Sequence, residues 1–163
     1  FVDPPAVEAA FKAGVGAVIQ ITIGGQMDSR FEPLPITARV RLLSDGDFTN
    51  ESHGSVWHGG STAVLEADNY TLVVTSRAVS LYDRSLFLAH GQNPHNFDLV
   101  VVKSPHCQPQ FFTDWGAVNV NVDAPGSTSA NLHSLGHTRC ARPIYPLEPD
   151  TEFVPQAKIF QRG

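Results

Sequence analysis

Three apolar segments of this sequence each end in a group of polar residues with the chemistry to bind a ligand. The three groups are Gly24-Gly25 with Asp28, Thr75-Ser76-Arg77, and Lys103-Ser104 with His106. Open α/β sheets place their ligand sites just beyond the ends of strands. If the three ends converge, their charged and imidazole side chains line one pocket. If they do not converge, these polar residues simply carry the chain from each strand into water.

The third of these segments has the strongest pattern in the chain. Residues 99–102 form a continuous, valine-rich apolar run that is too short for a buried helix. The run predicts a central strand buried on both faces. Polarity changes at Lys103, and Pro105 moves Ser104 away from helical geometry, so the chain is expected to leave the strand extended or turned. We therefore expect this strand to end at the edge of the domain that carries the site.

Helix caps, alternating patterns and turn signals predict the remaining elements. Asp3-Pro4-Pro5 predicts the start of a short helix. Val7, Ala10 and Phe11 would lie on the buried face of that helix. The further predictions are strands over 17–23, 36–43 and 117–122, a hairpin of 62–66 with 70–75, a loop over 50–60, a helix over 84–90 capped by Asp83, and one helical turn within 110–115.

These elements predict a single mixed α/β (α+β) domain over residues 1–163. Several strands with only two or three short helices indicate a mixed β-sheet and not a regular doubly wound one. Residues from about 141 to 163 form the tail of this domain. Within the tail, residues 142–149 are paced by proline and are expected to be extended, which suits packing on a domain surface or a partner domain.

Charge and hydropathy argue against two classes of partner. The 11 Lys and Arg residues are outnumbered by 16 Asp and Glu residues, which gives a net charge of −5. No basic run offers a surface for nucleic acid. The longest apolar run is far shorter than a membrane span. We therefore expect neither nucleic acid nor a membrane as a partner.

The histidines and cysteines do not have the spacing of a metal site. His133 and His137 are four residues apart and would share a helix face, but a glycine between them opposes a stable helix. No carboxylate accompanies them at metal-ligand spacing. Cys107 and Cys140 form no disulfide framework; a disulfide between them stays open, and free thiols in a reducing, cytoplasmic compartment are the expectation. A thiol nucleophile formed by Cys107 with His106 stays open, although adjacent residues of an extended chain point to opposite sides.

A set of motifs runs in a fixed order along the chain. The main ones are Asp3-Pro4, Ile23-Gly24-Gly25, Ser44-Asp45-Gly46, Thr62-Ala63-Val64-Leu65-Glu66, Val74-Thr75-Ser76-Arg77, Val101-Val102-Lys103-Ser104, Val122-Asp123-Ala124-Pro125-Gly126 and Arg142-Pro143-Ile144. Each motif is weak alone. In order and spacing, the motifs together resemble the C-terminal domain of the MlrC-like metallopeptidases, a family that takes part in microcystin degradation. The resemblance extends over nearly the whole chain.

This resemblance implies a parent protein of two domains. An N-terminal metallopeptidase domain, absent from this chain, would carry zinc, which lowers the pKa of a bound water to about 7 and polarises the carbonyl of a peptide or amide small molecule. This chain, with no metal of its own, would be the accessory domain that shapes the substrate cleft. Arg77, Lys103 and His106 would bind a substrate carboxylate or stabilise the oxyanion. The predicted substrate-binding residues are Gly24, Gly25, Asp28, Arg77, Lys103, Ser104 and His106.

Two departures from the family pattern bear on the substrate. Gln26 stands where the family often has Lys, so a positive charge at the Gly-Gly turn is lost. After Lys103-Ser104 the family often continues x-x-His-Phe-Arg, whereas this chain reads Pro105-His106-Cys107 and lacks the arginine. We therefore expect a substrate preference that differs from that of the peptide-degrading relatives, and microcystin itself is not carried over as the substrate.

Two other functions stay open at this point. In the first, the chain is a binding or assembly module with no catalytic contribution, its polar strand ends are solvated, and its tail mediates domain docking or homo-oligomerisation. In the second, it is a stand-alone thiol enzyme that uses Cys107.

Overall fold

The computed structural model of the chain describes residues 1–25, 31–103, 109–124, 131–152 and 154–160. The chain divides into two compact units, Phe1–Val118 and Asn119–Gly163. The elements of the first unit are α1 (Pro4–Ala13), β1 (Val18–Ile23), β2 (Leu34–Ser44), β3 (Asp47–Thr49), β4 (Val56–His58), β5 (Thr62–Ala67), β6 (Tyr70–Thr75), α2 (Ser85–Ala89), a 3-10 helix (Pro94–Asn96) and α3 (Pro109–Phe112). The second unit contains a 3-10 helix, Leu132–Leu135. The predicted mixed α/β class with short helices is confirmed.

The larger sheet has the strand order β1-β2-β5-β6, and each adjacent pair is antiparallel. The predicted alternation in β2 buries Ile36, Ala38 and Val40. The predicted hairpin joins β5 to β6 through residues 68–69. A parallel bridge from Val2 to the last residue of β6 adds the N-terminal residues to this sheet. The main core lies between one face of the sheet and α1.

Helix α1 covers the core face of the sheet with small and β-branched side chains. Ala6, Val7 and Ala10 are buried. Phe11 was predicted on the buried face and is exposed instead. It lies roughly 90° around the helix from the centre of the buried stripe, because successive residues turn by about 100°. Neither α1 nor another helix of the described residues has the length and apolar character of a membrane span.

Asp3 connects three elements through hydrogen bonds. Its Oδ1 accepts from Ala6 N at 3.1 Å, which caps α1, and its Oδ2 accepts from Gly24 N at 2.8 Å, directly after β1. The N–H of Asp3 donates to Thr75 O at 3.0 Å, at the end of β6. The side chain is buried, so these donors replace the water that the carboxylate gives up on folding.

The bonds of Asp3 require the larger sheet to curl. Ile23, at the end of β1, pairs with Leu34 of β2. At the end of β6, Thr75 pairs with the β5 residue that itself pairs with Ser44 of β2. Leu34 and Ser44 are the two ends of an 11-residue strand. A flat sheet would separate them by about 35 Å along that strand. Because Asp3 reaches both strand ends, twist must bring these opposite corners of the sheet together beside α1.

We expect Asp3→Ala to lower the free energy of unfolding by about 2–4 kcal/mol, because it removes a helix cap and leaves the Gly24 N–H without its partner. Chemical denaturation measures this change. The control is Glu8→Ala at an exposed position of the same helix, which should change the free energy by less than about 0.5 kcal/mol. Equal effects of the two substitutions would contradict the role given to Asp3.

Strands β3 and β4 form a second, two-stranded antiparallel sheet. This sheet corrects the prediction of a loop over 50–60, because Val56–His58 pairs with Asp47–Thr49. The polar, glycine-rich composition of the region is typical of a loop and does not predict this three-residue strand. Phe48 and Trp57 from the two strands pack into a second apolar cluster with Leu86 of α2.

Asp83 anchors the connection between β3 and β4 to the start of α2. Its Oδ2 accepts from the N–H and the hydroxyl of Ser52 at 2.8 and 2.7 Å, and its Oδ1 accepts from Ser85 N at 2.8 Å. Ser85 Oγ in turn accepts from Glu51 N at 2.8 Å. Burial alone would raise the pKa of Asp83, but the hydrogen bonds from Ser52 and Ser85 outweigh burial and hold the pKa below its ordinary value.

Because the folded-state pKa of Asp83 is lowered, the ionised carboxylate stabilises the fold above the ordinary pKa, and this contribution is lost as pH falls through the folded value. We expect the unfolding free energy of the wild-type chain to fall steeply below about pH 4. Asp83→Asn should be less stable at neutral pH and should lose less stability on acidification. Thermal unfolding across this pH range measures both effects, and parallel curves for the two proteins would argue against the assignment.

Two predicted strands do not form in the described part of the chain. Residues 99–102 and 117–122 are not in strands, and Leu99 and Val101 are 78% and 80% exposed. The prediction of a central buried strand at 99–102 and of a half-buried strand at 117–122 is therefore wrong for this chain alone. A valine-rich composition favours a strand, but a strand also needs a neighbour to pair with and a surface to cover it.

Turns around Glu148 organise the described residues 142–151 of the second unit. The Glu148 N–H donates to Ile144 O at 3.0 Å, and Oε2 of the same residue accepts from Ile144 N at 2.7 Å. Arg142 Nη1 lies 3.0 Å from Glu148 Oε1. The proline-paced segment is therefore turned and not extended over these residues, because a carboxylate within it supplies local hydrogen-bond partners.

Candidate functional site

Gly24 and Gly25 form the turn that follows β1. Both have positive φ angles, +70° and +71°. A Cβ added to Gly25 would lie 2.8 Å from Pro33 Cγ and 2.9 Å from Phe31 O, so the chain packs tightly on itself here. The turn alone accounts for the two glycines, and their role in substrate binding stays a prediction.

An open apolar depression lies beside this turn. Phe1, Phe31, Leu34 and Leu72 line it together with the two glycines. Glu32 also lines it. An anionic side chain beside an apolar surface does not suit a carboxylate ligand. Of the predicted site residues that the structure describes, Gly24 and Gly25 line this depression, whereas Arg77 and Lys103 are not among its lining residues.

Arg77 follows β6 in a turn that packs against Gly60. Its N–H donates to Gly59 O at 2.9 Å, and its carbonyl oxygen accepts from Thr75 Oγ1 at 2.8 Å. Gly60 has a φ of +66°, and a Cβ there would lie 2.5 Å from Ser76 Oγ and 3.0 Å from Arg77 Cγ. The stem of Arg77 therefore lies across a glycine, while the residue as a whole is exposed.

The structure brings together two of the three predicted strand ends. Gly24 N and Thr75 O both bond to Asp3, so the turn after β1 lies close to the start of the turn that carries Arg77. Lys103 is exposed at the end of a segment that is not a strand. Asp28, Ser104 and His106 lie outside the described residues. A single pocket that contains all of the predicted residues stays a prediction.

Within the ranges that the structure describes, no group of three or more His, Cys, Asp and Glu side chains is placed to hold a metal ion. His133 lies in the 3-10 helix Leu132–Leu135, and Gly136 ends that helix with a left-handed φ of +58°. His137 therefore does not share a helix face with His133. Cys140 is a free thiol, and Cys107 lies outside the described residues.

Sequence reasoning missed a polar and aromatic cluster around Arg84. Its Nη2 lies 3.1 Å from Glu51 Oε1, and its guanidinium carbon lies 5.6 Å from the centroid of the Phe111 ring. His95 Nε2 lies 3.3 Å from Arg84 Nη1 and its ring stacks on Trp115 at 4.1 Å. The cluster holds α3 and the residues after it near the start of α2. No local signal predicts it, because Glu51 and Arg84 are 33 residues apart.

We expect Gly60→Ala to lower the free energy of unfolding by about 2–3 kcal/mol, because a close contact with Ser76 adds to the left-handed strain. Gly54→Ala is the matched control. Gly54 has a φ of +65° and nothing within 4 Å of an added Cβ, so its substitution should cost only about 1 kcal/mol of strain. If denaturation shows no larger loss for Gly60→Ala than for Gly54→Ala, the packing described for Arg77 is incorrect.

Three comparisons show which known proteins this chain resembles. A family model described as MlrC C-terminus matches residues 1–139. Microcystinase C from Sphingomonas sp is 28% identical over 148 residues, which cover 90% of this chain and 28% of that protein. A crystal structure of a candidate metallopeptidase from Mesorhizobium sp. BNC1 is 31% identical with a TM-score of 0.75, over 96% of this chain and 31% of that one. The chain thus spans less than a third of the length of either protein.

Proposed function

The chain belongs to the MlrC C-terminus family, and from this premise we propose that it is the accessory C-terminal domain of a zinc-dependent peptide or amide hydrolase. One observation carries the proposal. Nearly the whole chain matches the candidate metallopeptidase structure, yet the match occupies only 31% of that structure. The longer polypeptide, defined here as this chain together with a preceding metallopeptidase domain, would be the complete enzyme.

In this proposal the metal belongs to the preceding domain. The described residues of this chain do not fit a zinc site, because a catalytic zinc needs three protein ligands and no such group is placed together here. Zinc bound in the preceding domain would supply an activated water and polarise the scissile carbonyl. The contribution of this chain would be to bind and orient the substrate beside that centre.

Exposed cations are the groups with which this chain would act on a substrate. Arg77 and Lys103 are both exposed, so their charged groups would be accessible to a ligand. A peptide or amide with a carboxylate would find charge-assisted hydrogen-bond donors in them, and the developing oxyanion would be stabilised by the same charges. His106 would add a further donor from the segment after Lys103.

A second candidate function rests on exposed apolar residues. Val118, Val120 and Val122 are 78%, 72% and 76% exposed, a pattern that is typical of interaction surfaces. The chain would then be a binding or assembly module that docks domains or forms a homo-oligomer, without a role in turnover. For either function we propose a reducing cytoplasmic compartment, in which a free thiol such as Cys140 is normal.

In the longer polypeptide we expect Lys103→Ala and His106→Ala each to lower kcat/KM by roughly 10- to 100-fold, the usual cost of removing a hydrogen bond to a charged group. Steady-state hydrolysis of an anionic peptide measures the change. Lys12→Ala removes an exposed lysine near the end of α1 and should leave kcat and KM unchanged. Unchanged kcat and KM in both Lys103→Ala and His106→Ala would favour the assembly module.

A further inference from the structure

The segment from Asp98 to Lys103 is an apolar strand-like run without a strand partner. Leu99 and Val101 are almost fully exposed, whereas Val100 and Val102 are half-buried. Among the residues that the structure describes, no backbone hydrogen bond involves residues 99–102. The segment therefore exposes the side chains of Leu99 and Val101, and its backbone pairs with no other described strand.

Such a run is unusual on the surface of a complete protein. Single exposed apolar residues are normal, but consecutive ones with an unpaired backbone form a site that can add to another sheet. The family match includes this run, because it extends over residues 1–139. The run therefore lies within the matched domain and is not an appendage to it.

A second segment shows the same pattern independently. Val118, Val120 and Val122 alternate with Asn119 and Asn121, so the exposed valines would share one face of an extended chain. This segment also lies inside the matched range. Two separate strand-like segments of the described residues thus have exposed apolar side chains.

We propose that residues 98–103 become a buried β-strand when the preceding metallopeptidase domain of the longer polypeptide covers them. The inference rests on the proposed function. The length of the matched proteins supports this choice of partner, because they contain more than twice as much polypeptide outside the match as inside it. A covering domain in the same polypeptide also has a high effective concentration. A second copy of this chain is the less suitable partner, because each copy carries a net charge of −5.

The alternation of the segment connects this surface to substrate binding. Leu99, Val101 and Lys103 are exposed, and residues two apart in an extended chain share a face. A domain that covers Leu99 and Val101 would therefore meet the Lys103 side chain at the edge of the same face. The proposed interface would place the ammonium group of Lys103 at the boundary between the two domains, where the substrate cleft would lie.

Hydrogen exchange of the amides of residues 99–102 tests the inference in this chain and in the longer polypeptide. We expect near-unprotected exchange in this chain and exchange slowed at least roughly 100-fold in the longer polypeptide, because a paired strand opens only by local unfolding. Equal, fast exchange in both would overturn the inference. Protection in this chain that rises with its concentration would also overturn it, because the partner would then be a second copy.

Charge substitutions provide a second, independent readout. Leu99→Glu and Val101→Glu should leave the Tm of this chain unchanged and should lower the Tm of the longer polypeptide by several degrees, because they would bury a charge at the interface. Val15→Glu is the matched control, since Val15 is 65% exposed in a loop of the same unit. It should leave both Tm values unchanged. An unchanged Tm of the longer polypeptide in both interface variants would overturn the inference.

Hydrolysis by the wild-type longer polypeptide separates failure of this inference from failure of the proposed function. Active polypeptide with unprotected residues 99–102 would overturn the interface and leave the function intact. Protected residues 99–102 in a polypeptide that hydrolyses no peptide or amide would support the interface and overturn the function.

Discussion

The buried carboxylate of Asp3 is the interaction on which the first unit depends. It caps α1 and binds the turn after β1, while its backbone holds the end of β6. These three contacts are compatible only if the sheet curls around the helix. The curl closes the core against α1 and sets the positions of Gly24 and of the turn that carries Arg77. A charged group held by backbone donors thus fixes the geometry that apolar packing alone would leave open.

The curled sheet gives the first unit a core of its own. Its core clusters are internal to the unit and draw on α1, β1, β2, β5 and β6, with β3, β4 and α2 in the smaller cluster. The valine-rich segment at 99–102 is not among the residues of either cluster. The matched proteins are more than three times as long as the match, and under the proposed function this segment is where the preceding domain would contact the chain.

Local sequence signals predict the elements whose backbone geometry depends on a few neighbouring residues. The Asp3 cap, the alternation of β2 and the two-residue turn at 68–69 each specify backbone geometry within a few residues, and the structure has all three. The contact from Asp3 to Gly24 spans 21 residues, and no short pattern specifies it. Residues 99–102 were misplaced for a different reason. Their composition predicts burial, but burial and pairing of a strand depend on neighbouring surfaces that local composition does not specify.

Under the proposed function this chain completes a hydrolase whose metal lies in another domain, and complementation tests that role most directly. The preceding domain and this chain would be purified separately, and hydrolysis of an anionic peptide would be followed as this chain is titrated into a fixed amount of the zinc-loaded preceding domain. The account predicts little turnover by either part alone and a saturable rise as the chain is added. Turnover by the preceding domain that does not respond to this chain, or full turnover by this chain alone, would contradict it.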